Sequence, residues 1–455
     1  MSYSKGSCEV DSSSTIDGFK EPNKKGSSEL IEFEGDMDPN FDVPNQSKIL
    51  IISTDQSYLT HGIHKFPAKF FPELPRYLIR KYSNIGEIVL DPMCGSGTTI
   101  LEALLNNRIA IGIDIDPIAR LITKVKTTPI DSEKLTIAAH DLEEHIESLN
   151  TSVDYCPIIP DFHYRENWFR PYVLRELAII NDSIDFLLEK NPNDSDSQDI
   201  GDFFRIVLSS IIREVSNADP NCTRTVLRKK IVKNILPGDT FVKFSQTLFR
   251  HCNSMLDLFE ISRSLQINDV LLPVGDAMNT SLDTDSIDLT ITSPPYINAV
   301  DYPRTHQLEM YWLGLLGDGP LSDIKRTYIG TETVYKNEYA ALKSSGYDTL
   351  DPILEKIYEE DPRRSFIVFK FFEDMKLQLE EIYRVLKPNG RYCITIGSNL
   401  IRGVEVRSDQ ILSEIATSEV GFELENTFFS KLIRHFIRIP RPERMSGEWI
   451  LVLRK

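Results

Sequence analysis

Two short loops carry residue types that could bind a charged ligand and hold an amine. The first, residues 91–98 (DPMCGSGT), lies between a run typical of a buried strand and a run typical of a helix. Its glycines let the backbone pass close under a ligand, and the free N–H groups at a helix N-terminus attract a carboxylate. Seventeen residues past Gly97, Asp114 ends the next apolar run, where a carboxylate can accept hydrogen bonds from both hydroxyls of a ribose.

The first loop fits two kinds of cofactor, a nicotinamide dinucleotide or S-adenosyl-L-methionine. The dinucleotide fingerprint requires a third glycine where this sequence has Ile100. Asp91, immediately before the loop, would also repel a pyrophosphate. The same carboxylate suits the ammonium group of a methionine moiety. These residues therefore favour S-adenosyl-L-methionine.

The second loop, residues 293–296 (SPPY), could hold an exocyclic amine. Such an amine is a poor nucleophile because its lone pair is delocalised into the ring. The Ser293 hydroxyl and the Pro294 carbonyl could each accept one N–H, which favours a pyramidal nitrogen whose lone pair faces a sulfonium methyl group. The two prolines stiffen the loop before substrate arrives, and Tyr296 offers a flat face on which a flipped base can stack. The predicted catalytic residues are Ser293, Pro294, Pro295 and Tyr296.

The order of strand-like and helical runs predicts the frame that must position both loops. Strand and helix patterns alternate over residues 87–127 and again after residue 269, which predicts a parallel, doubly wound α/β sheet. Between about 133 and 262 the apolar spacing is helical, which predicts a large helical insertion. Because open α/β sheets bind ligands at the carboxyl ends of their strands, we expect both loops at one edge of this sheet.

At this point the sequence resembles a known family. DPMCGSGTT followed by GIDIDP is similar to motifs I and II of the DNA amino-methyltransferases, and residues 64–79 resemble their motif X. The resemblance implies a Rossmann-like S-adenosylmethionine methyltransferase fold, with Asp114 on the ribose and Asp116 as a helix cap. It also implies Lys69 near the methionine carboxylate and Asp276 on the adenine amino group. The predicted cofactor-binding residues are Lys69, Asp91, Pro92, Cys94, Gly95, Ser96, Gly97, Thr98, Asp114, Ile115 and Asp276.

The residue before Pro-Pro-Tyr bears on the atom that is methylated. By resemblance, serine at this position is typical of cytosine-N4 enzymes, whereas aspartate or asparagine is typical of adenine-N6 enzymes. We therefore expect a site-specific cytosine-N4 methyltransferase of a restriction-modification or related defence system. The alternatives are an adenine-N6 enzyme, an RNA guanine-N2 methyltransferase and a non-catalytic subunit of a defence complex. The expected partners are double-stranded DNA, with base flipping, and a cognate restriction endonuclease.

The pattern divides the chain into six predicted segments. These are an acidic flexible arm (1–48), a first core part with motifs X, I and II (49–132), the helical insertion (133–264), a second core part with motifs III and IV (265–300), a second insertion (301–364) and a C-terminal core part (365–455). The family usually places its target-recognition region after motif III or motif VIII. Which of the two insertions reads the target therefore stays open.

The charge of the chain at first argues against a nucleic-acid partner. The formal net charge is −17, and a polyanion-binding protein usually has a basic face. Residues 221–234, however, contain five cations and no acid. We predict that this run supplies DNA contacts, and the predicted DNA-binding residues are Arg224, Arg228 and Lys229.

Composition excludes several other classes of protein. The sequence has no run of eighteen apolar residues, which predicts no membrane span, and its first residues have no apolar segment of a secretory signal. Its six cysteines are scattered without a C-x-x-C pair, which predicts reduced thiols and no metal site. We expect a cytoplasmic protein.

Overall fold

The computed structural model describes residues 30–190, 194–228, 233–267, 269–297, 300–316, 321–432 and 445–455, together with the backbone of residues 23–25. All structural statements below concern these residues.

A single large, mostly parallel sheet forms the frame of the molecule. Its strands are β1 (Asn23–Lys25), β2 (Leu30–Glu34), β3 (Lys48–Ile52), β4 (Ile88–Asp91), β5 (Ile109–Gly112), β6 (Val270–Leu271), β7 (Ile287–Thr292), β8 (Leu386–Ile396), β11 (Glu423–Lys431) and β12 (Gly447–Arg454), and β9 (Asn399–Ile401) pairs separately with β10 (Val404–Val406). The order in the sheet is β1-β2-β3-β11-β12-β8-β7-β4-β5-β6. Strand β12 is antiparallel to both of its neighbours, whereas β8, β7, β4, β5 and β6 are mutually parallel.

Helices cover both faces of this sheet because its central strands are apolar on both sides. Val89 and Leu90, successive residues of β4, are both fully buried and belong to two different hydrophobic clusters. Val89 packs in the cluster that contains α1 (Glu73–Tyr82), and Leu90 packs in the cluster that contains α13 (Pro362–Val385). Two buried faces are what the near-continuous apolar runs predict for a doubly wound sheet. The predicted fold class is confirmed.

The remaining helices follow the two strand–loop units or fill the insertions. Helices α2 (Thr98–Leu105) and α3 (Pro117–Thr127) follow β4 and β5, and α14 (Ser408–Ile415) precedes β11. The helical insertion contains α4 (Ser132–Thr151), α5 (Arg165–Trp168), α6 (Pro171–Lys190), α7 (Ser195–Val215) and α8 (Asp239–Ser262). The second insertion contains α9 (Tyr302–Thr305), α10 (Gln307–Trp312), α11 (Leu321–Thr327) and α12 (Asp351–Glu360). The insertions share one hydrophobic cluster, in which Phe204 of α7 and Trp312 of α10 are buried.

Two local predictions differ from the structure. Part of the segment 1–48, expected to be a flexible arm, is sheet, because Ile31 and Phe33 alternate with polar residues and bury one face of β2. A glycine after a helical run is typical of a helix end, which predicts that Gly390 ends the long helix before β8. That helix instead ends at Val385, and Gly390 lies within β8, where an added Cβ would meet the Asp288 carbonyl at 3.1 Å.

None of the described helices combines the length and the apolar character that crossing a membrane would require.

Candidate active site

A cleft of about 830 Å³ opens at the carboxyl ends of β4, β5, β6 and β7. Ten of the eleven predicted cofactor-binding residues line it, namely Lys69, Asp91, Pro92, Cys94, Gly95, Ser96, Thr98, Asp114, Ile115 and Asp276. Ser293 and Pro295 also line this cleft. The two loops selected from sequence therefore meet in one cavity.

The cofactor loop (residues 91–98) takes its shape from two glycines with left-handed backbone conformations. Gly97 has φ 71°, and an added Cβ would lie 2.6 Å from the Thr123 methyl group on α3. Gly97 is thus behind the cleft wall, where it permits close packing of the loop on a helix. Gly95 has φ 51°, and its N–H donates to the Asp114 carboxylate at 2.8 Å. The loop and the end of β5 are in this way joined directly.

The two aspartates that follow β5 have different structural roles. Asp114 accepts from the Gly95 and Asp116 N–H groups, which fixes its carboxylate at the cleft. Asp116 caps α3 by accepting from the Ile118 N–H at 3.0 Å, as predicted. Its second oxygen is buried without a hydrogen-bond partner in the described part of the chain.

The cleft is electrostatically suited to a cation. Asp91, Asp114, Asp116 and Asp276 all line it. Burial raises the pKa of Asp91 and of Asp116 to about 7, and burial also raises the pKa of Asp114. Carboxyl groups that are costly to ionise gain from a nearby positive charge. An ammonium and a sulfonium supply that charge, whereas a pyrophosphate would add repulsion, so the residues fit S-adenosyl-L-methionine better than a dinucleotide.

Lys69 contributes a positive charge to the residues that line the cleft. Its ammonium group donates to the carbonyl oxygens of Gln56 and His61, both at 2.8 Å. Burial lowers its pKa to about 8. The backbone thus holds the Lys69 side chain at the edge of the cleft, on the side predicted for a ligand carboxylate.

The acceptor loop (residues 293–296) follows β7 directly. Ser293 and Pro295 line the cleft, whereas Pro294 and Tyr296 do not. The Tyr296 side chain is 9% exposed, and its hydroxyl donates to Glu448 of β12 at 2.7 Å. The expected open aromatic face at Tyr296 is therefore absent from the described cleft wall. Asp91 joins the two loops, since its carboxylate accepts from the Thr292 hydroxyl at 2.8 Å.

Aromatic residues that the sequence analysis did not select form the aromatic part of the cleft wall. Phe66 and Tyr302 line the cleft and stack on each other, with ring centroids 5.6 Å apart and 26° between the planes. Tyr328 and Ile329 complete this wall. Phe66 lies within the motif X run, which was a usable signal. Tyr302 and Tyr328 lie in the second insertion, where no motif marks them.

The predicted DNA-binding residues are separated by the structure. Arg224 is exposed at the rim of a second cavity. Arg228 instead forms an ion pair of 3.1 Å with Asp219, whose side chain is 1% exposed. Lys229 lies outside the described residues. Lys233 from the same run donates to the Arg213 carbonyl at 2.9 Å, and burial lowers its pKa to about 8.

The doubly wound sheet and the acid-lined cleft at its carboxyl edge define an S-adenosylmethionine-dependent methyltransferase of Rossmann-like fold.

Comparison with known proteins narrows this class. Residues 16–124 match the family model described as DNA methylase. The chain is 24% identical over 393 residues to the type II methyltransferase M.MvaI of Kocuria varians, covering 82% of this chain and 84% of that protein. It is 23% identical to the type II methyltransferase M.BsoBI of Geobacillus stearothermophilus, covering 83% and 81%. The chain is therefore similar to DNA amino-methyltransferases, and its cofactor is S-adenosyl-L-methionine.

Among solved structures, a TehB-like SAM-dependent methyltransferase from Corynebacterium glutamicum is similar at 13% identity, covering 83% of this chain and 85% of that chain. The TM-score is 0.27. A score this low carries no weight for the function of this chain.

Proposed function

We propose that this protein methylates the exocyclic N4 amine of a cytosine within a specific sequence of double-stranded DNA, as the modification enzyme of a type II system. The observation that carries the proposal is the position of Ser293 and Pro295 on the wall of the cofactor cleft. An amine held by this loop would lie beside the cofactor. A cognate restriction endonuclease is the expected partner of such an enzyme, and the printed names of the relatives, type II methyltransferases, support this setting.

In this proposal the chain holds and orients an amine and needs no strong base. S-adenosyl-L-methionine supplies the methyl group as a substituent of a positively charged sulfur. The Ser293 hydroxyl and the Pro294 carbonyl each accept one N–H of the amine, so the nitrogen lone pair faces the cofactor. Pro294 and Pro295 restrict the loop, which reduces the entropy lost when substrate is held for reaction. The acidic wall around Asp91 favours the cationic cofactor over its neutral product.

A route for a flipped base adjoins the cleft. The acceptor chamber, a cavity of about 1180 Å³, is lined by residues 222–224, 300–303 and 328–333 from both insertions. It shares Tyr302, Tyr328 and Ile329 with the cofactor cleft. A base stacked in a duplex could not reach Ser293, so the proposal requires extrusion of the target nucleotide into this chamber. Arg224 at its rim is available for a phosphate, because it forms no ion pair with any residue the structure describes.

The choice of cytosine rests on Ser293. By family resemblance, serine before Pro-Pro-Tyr accompanies cytosine-N4 activity, whereas aspartate or asparagine accompanies adenine-N6 activity. A serine hydroxyl can accept one N–H and is smaller than a carboxylate or an amide. The single position therefore supports cytosine N4 over adenine N6.

The test is direct identification of the product. Purified protein is incubated with S-adenosyl-L-methionine carrying a tritiated methyl group and with unmethylated genomic DNA, and the DNA is digested to nucleosides for mass spectrometry. We expect N4-methylcytosine in the digest. N6-methyladenine alone would overturn the choice of base, and transfer to RNA but not to DNA would overturn the substrate. Ser293→Ala serves as the matched inactive control.

A further inference from the structure

The two insertions are joined at Thr225, a buried residue of the basic run. Its N–H donates to the Arg304 carbonyl at 3.3 Å, and its hydroxyl donates to the Thr305 carbonyl at 2.7 Å. The side-chain amide of Gln307 donates to the Thr225 carbonyl at 3.4 Å. These hydrogen bonds fix a segment of the first insertion on helices α9 and α10 of the second.

The Arg224 loop (residues 219–228) is also held from within the first insertion. The guanidinium of Arg213, in the last turn of α7, donates to three backbone carbonyls of this loop, those of Asp219, Cys222 and Thr223. Arg228 closes the loop through its ion pair of 3.1 Å with Asp219. Arg213 and Arg228 therefore have structural partners, and contacts within the protein fix the backbone that carries Arg224.

The charges around the acceptor chamber favour an anionic ligand. Among the described residues two carboxylates line it, and each is paired with a cation that also lines it. Asp301 pairs with Lys325 at 2.7 Å, and Glu332 pairs with Arg364 at 2.9 Å. Arg224 adds a further positive charge to this lining. The chamber therefore has a local excess of positive charge in a chain whose formal net charge is −17.

Arg304 lies beside the same chamber on the second insertion. It follows Pro303, which lines the chamber, and its side chain is exposed. Its backbone is joined to the residue after Arg224 by the hydrogen bond from Thr225. Within the part of the chain that the structure describes, its guanidinium has no carboxylate partner. Such a guanidinium can direct two parallel N–H groups to the oxygens of one phosphate.

We infer that DNA binds to a composite surface, formed by both insertions around the mouth of the acceptor chamber, on which Arg224 and Arg304 contact backbone phosphates and Thr225 holds the insertions together. The inference rests on the proposed extrusion of the target nucleotide into this chamber. Neither insertion supplies this surface alone, so both contribute to binding of the target.

The salt dependence of DNA binding tests the two arginines. The variants are Arg304→Ala, Arg304→Lys and the double variant Arg224→Ala/Arg304→Ala, and the probe is a fluorescently labelled DNA duplex of arbitrary sequence. Each lost phosphate contact flattens the plot of log affinity against log salt by about one unit. We expect about one unit for Arg304→Ala and about two for the double variant. Arg304→Lys keeps the charge and should keep the wild-type slope.

Arg263→Ala is the matched control for these variants. Arg263 is an exposed arginine at the end of α8. The N–H groups of Gln266 and Ile267, just after it, donate to the side chain of Asn107, which precedes the amino end of β5. Arg263 therefore lies at the opposite edge of the sheet from the chamber, and its loss should not change the slope. A wild-type slope in Arg304→Ala, or equal flattening in Arg263→Ala, would overturn the inference.

Thr225 is tested as a positioning residue by Thr225→Val and Thr225→Ser. Valine keeps the shape and loses the hydroxyl, whereas serine keeps the hydroxyl. Loss of one buried hydrogen bond predicts roughly 2- to 10-fold weaker binding of the duplex by Thr225→Val, with an unchanged slope because no charge is removed. Serine should restore most of the affinity.

Denaturant unfolding of both Thr225 variants is measured in parallel. A residue that only stabilises the fold would lower the unfolding midpoint without changing the affinity of the folded protein for DNA. Wild-type affinity in Thr225→Val, or equal losses of affinity in the valine and serine variants, would overturn the role of Thr225 in the composite surface.

Failure of the proposed function is distinguishable from failure of this inference. If the wild type methylates adenine instead of cytosine, the choice of base falls, while the binding assays still test the composite surface. If the wild type binds duplex DNA and Arg304→Ala equals it in slope and affinity, only the inference falls. A wild type that binds no duplex DNA would overturn both.

Discussion

The cofactor loop and the acceptor loop follow two neighbouring parallel strands and are held in different ways. Strands β4 and β7 pair through Val89 and Leu289, so both loops leave the same edge of the sheet. The cofactor loop is held by nearby sequence, through the Gly95 hydrogen bond to Asp114 and the packing of Gly97 on Thr123. The acceptor loop is held from a distance, because Tyr296 bonds to Glu448, 152 positions away.

This difference separates two kinds of function. The cofactor loop is a local structure shaped mainly by its backbone. The geometry of the acceptor loop depends on a side chain from a distant strand, because Tyr296 bonds to Glu448 of β12. Substitutions in the first should change affinity for the cofactor, and substitutions in the second should change turnover.

The largest effect is expected at Ser293. Ser293→Ala removes one of the two acceptors proposed for the amine, and loss of a preorganised hydrogen bond at a reacting centre costs roughly 10²–10³ in rate. Cofactor affinity should not change, because the hydroxyl is on the acceptor side of the cleft. Single-turnover kinetics with saturating DNA measures the rate, and calorimetry measures the affinity. Near wild-type turnover would remove Ser293 from the proposed mechanism.

A smaller effect is expected at Asp114, on cofactor affinity instead of turnover. Asp114→Ala removes the acceptor predicted for the ribose hydroxyls and frees the Gly95 N–H. Leaving such groups unpaired in a buried site costs about 1–3 kcal/mol, which is roughly a 5- to 150-fold loss of cofactor affinity. Turnover at saturating cofactor should change far less. Calorimetry that finds unchanged affinity would mean that the cofactor does not use this carboxylate.

Asp91 contacts both loops, so a substitution there should affect both cofactor affinity and turnover. Its carboxylate belongs to the cofactor loop but accepts the Thr292 hydroxyl at the base of the acceptor loop. Asp91→Ala removes both carboxylate oxygens and should therefore lower both cofactor affinity and turnover, each by about tenfold for roughly 1.4 kcal/mol of lost hydrogen bonding. Parallel calorimetry and turnover assays check this. A change confined to one of the two quantities would mean that the loops act independently.

The smallest effects are expected in the basic run, where two arginines should behave differently. Arg224→Ala should flatten the salt dependence of DNA binding by about one unit of slope, since one phosphate contact is lost. Arg228→Ala should leave that slope unchanged and lower the free energy of unfolding by about 1–3 kcal/mol, because Asp219 is left buried without its ion pair. Salt titrations of affinity and denaturant unfolding of both variants test the contrast. Equal slopes in Arg224→Ala and the wild type would exclude Arg224 as a phosphate contact.

Sequence predicted the features that depend on local order. The strand runs and the glycines of the cofactor loop follow from spacing within a few residues, the Asp116 cap follows from the family resemblance, and all are present in the structure. The features that were missed depend on contacts between distant segments. Glu448 reads as an ordinary acid between apolar residues, and Tyr302 lies in an insertion without a motif. The Arg228 partner, Asp219, is near in sequence, but its burial cannot be read from composition.

The sheet order also has a consequence for how the chain is made. Strands β2 and β3 join the rest of the sheet at β11, and Thr427 at that junction donates to Asn45, 382 positions away. Pairing between such distant segments slows folding. During synthesis the residues of β2 and β3 emerge long before β11 exists. Until then the edge of β3 that pairs with β11 lacks its partner strand, while the segment between β2 and β3 can dock on α1, where the Tyr77 hydroxyl donates to the Phe41 carbonyl at 2.8 Å.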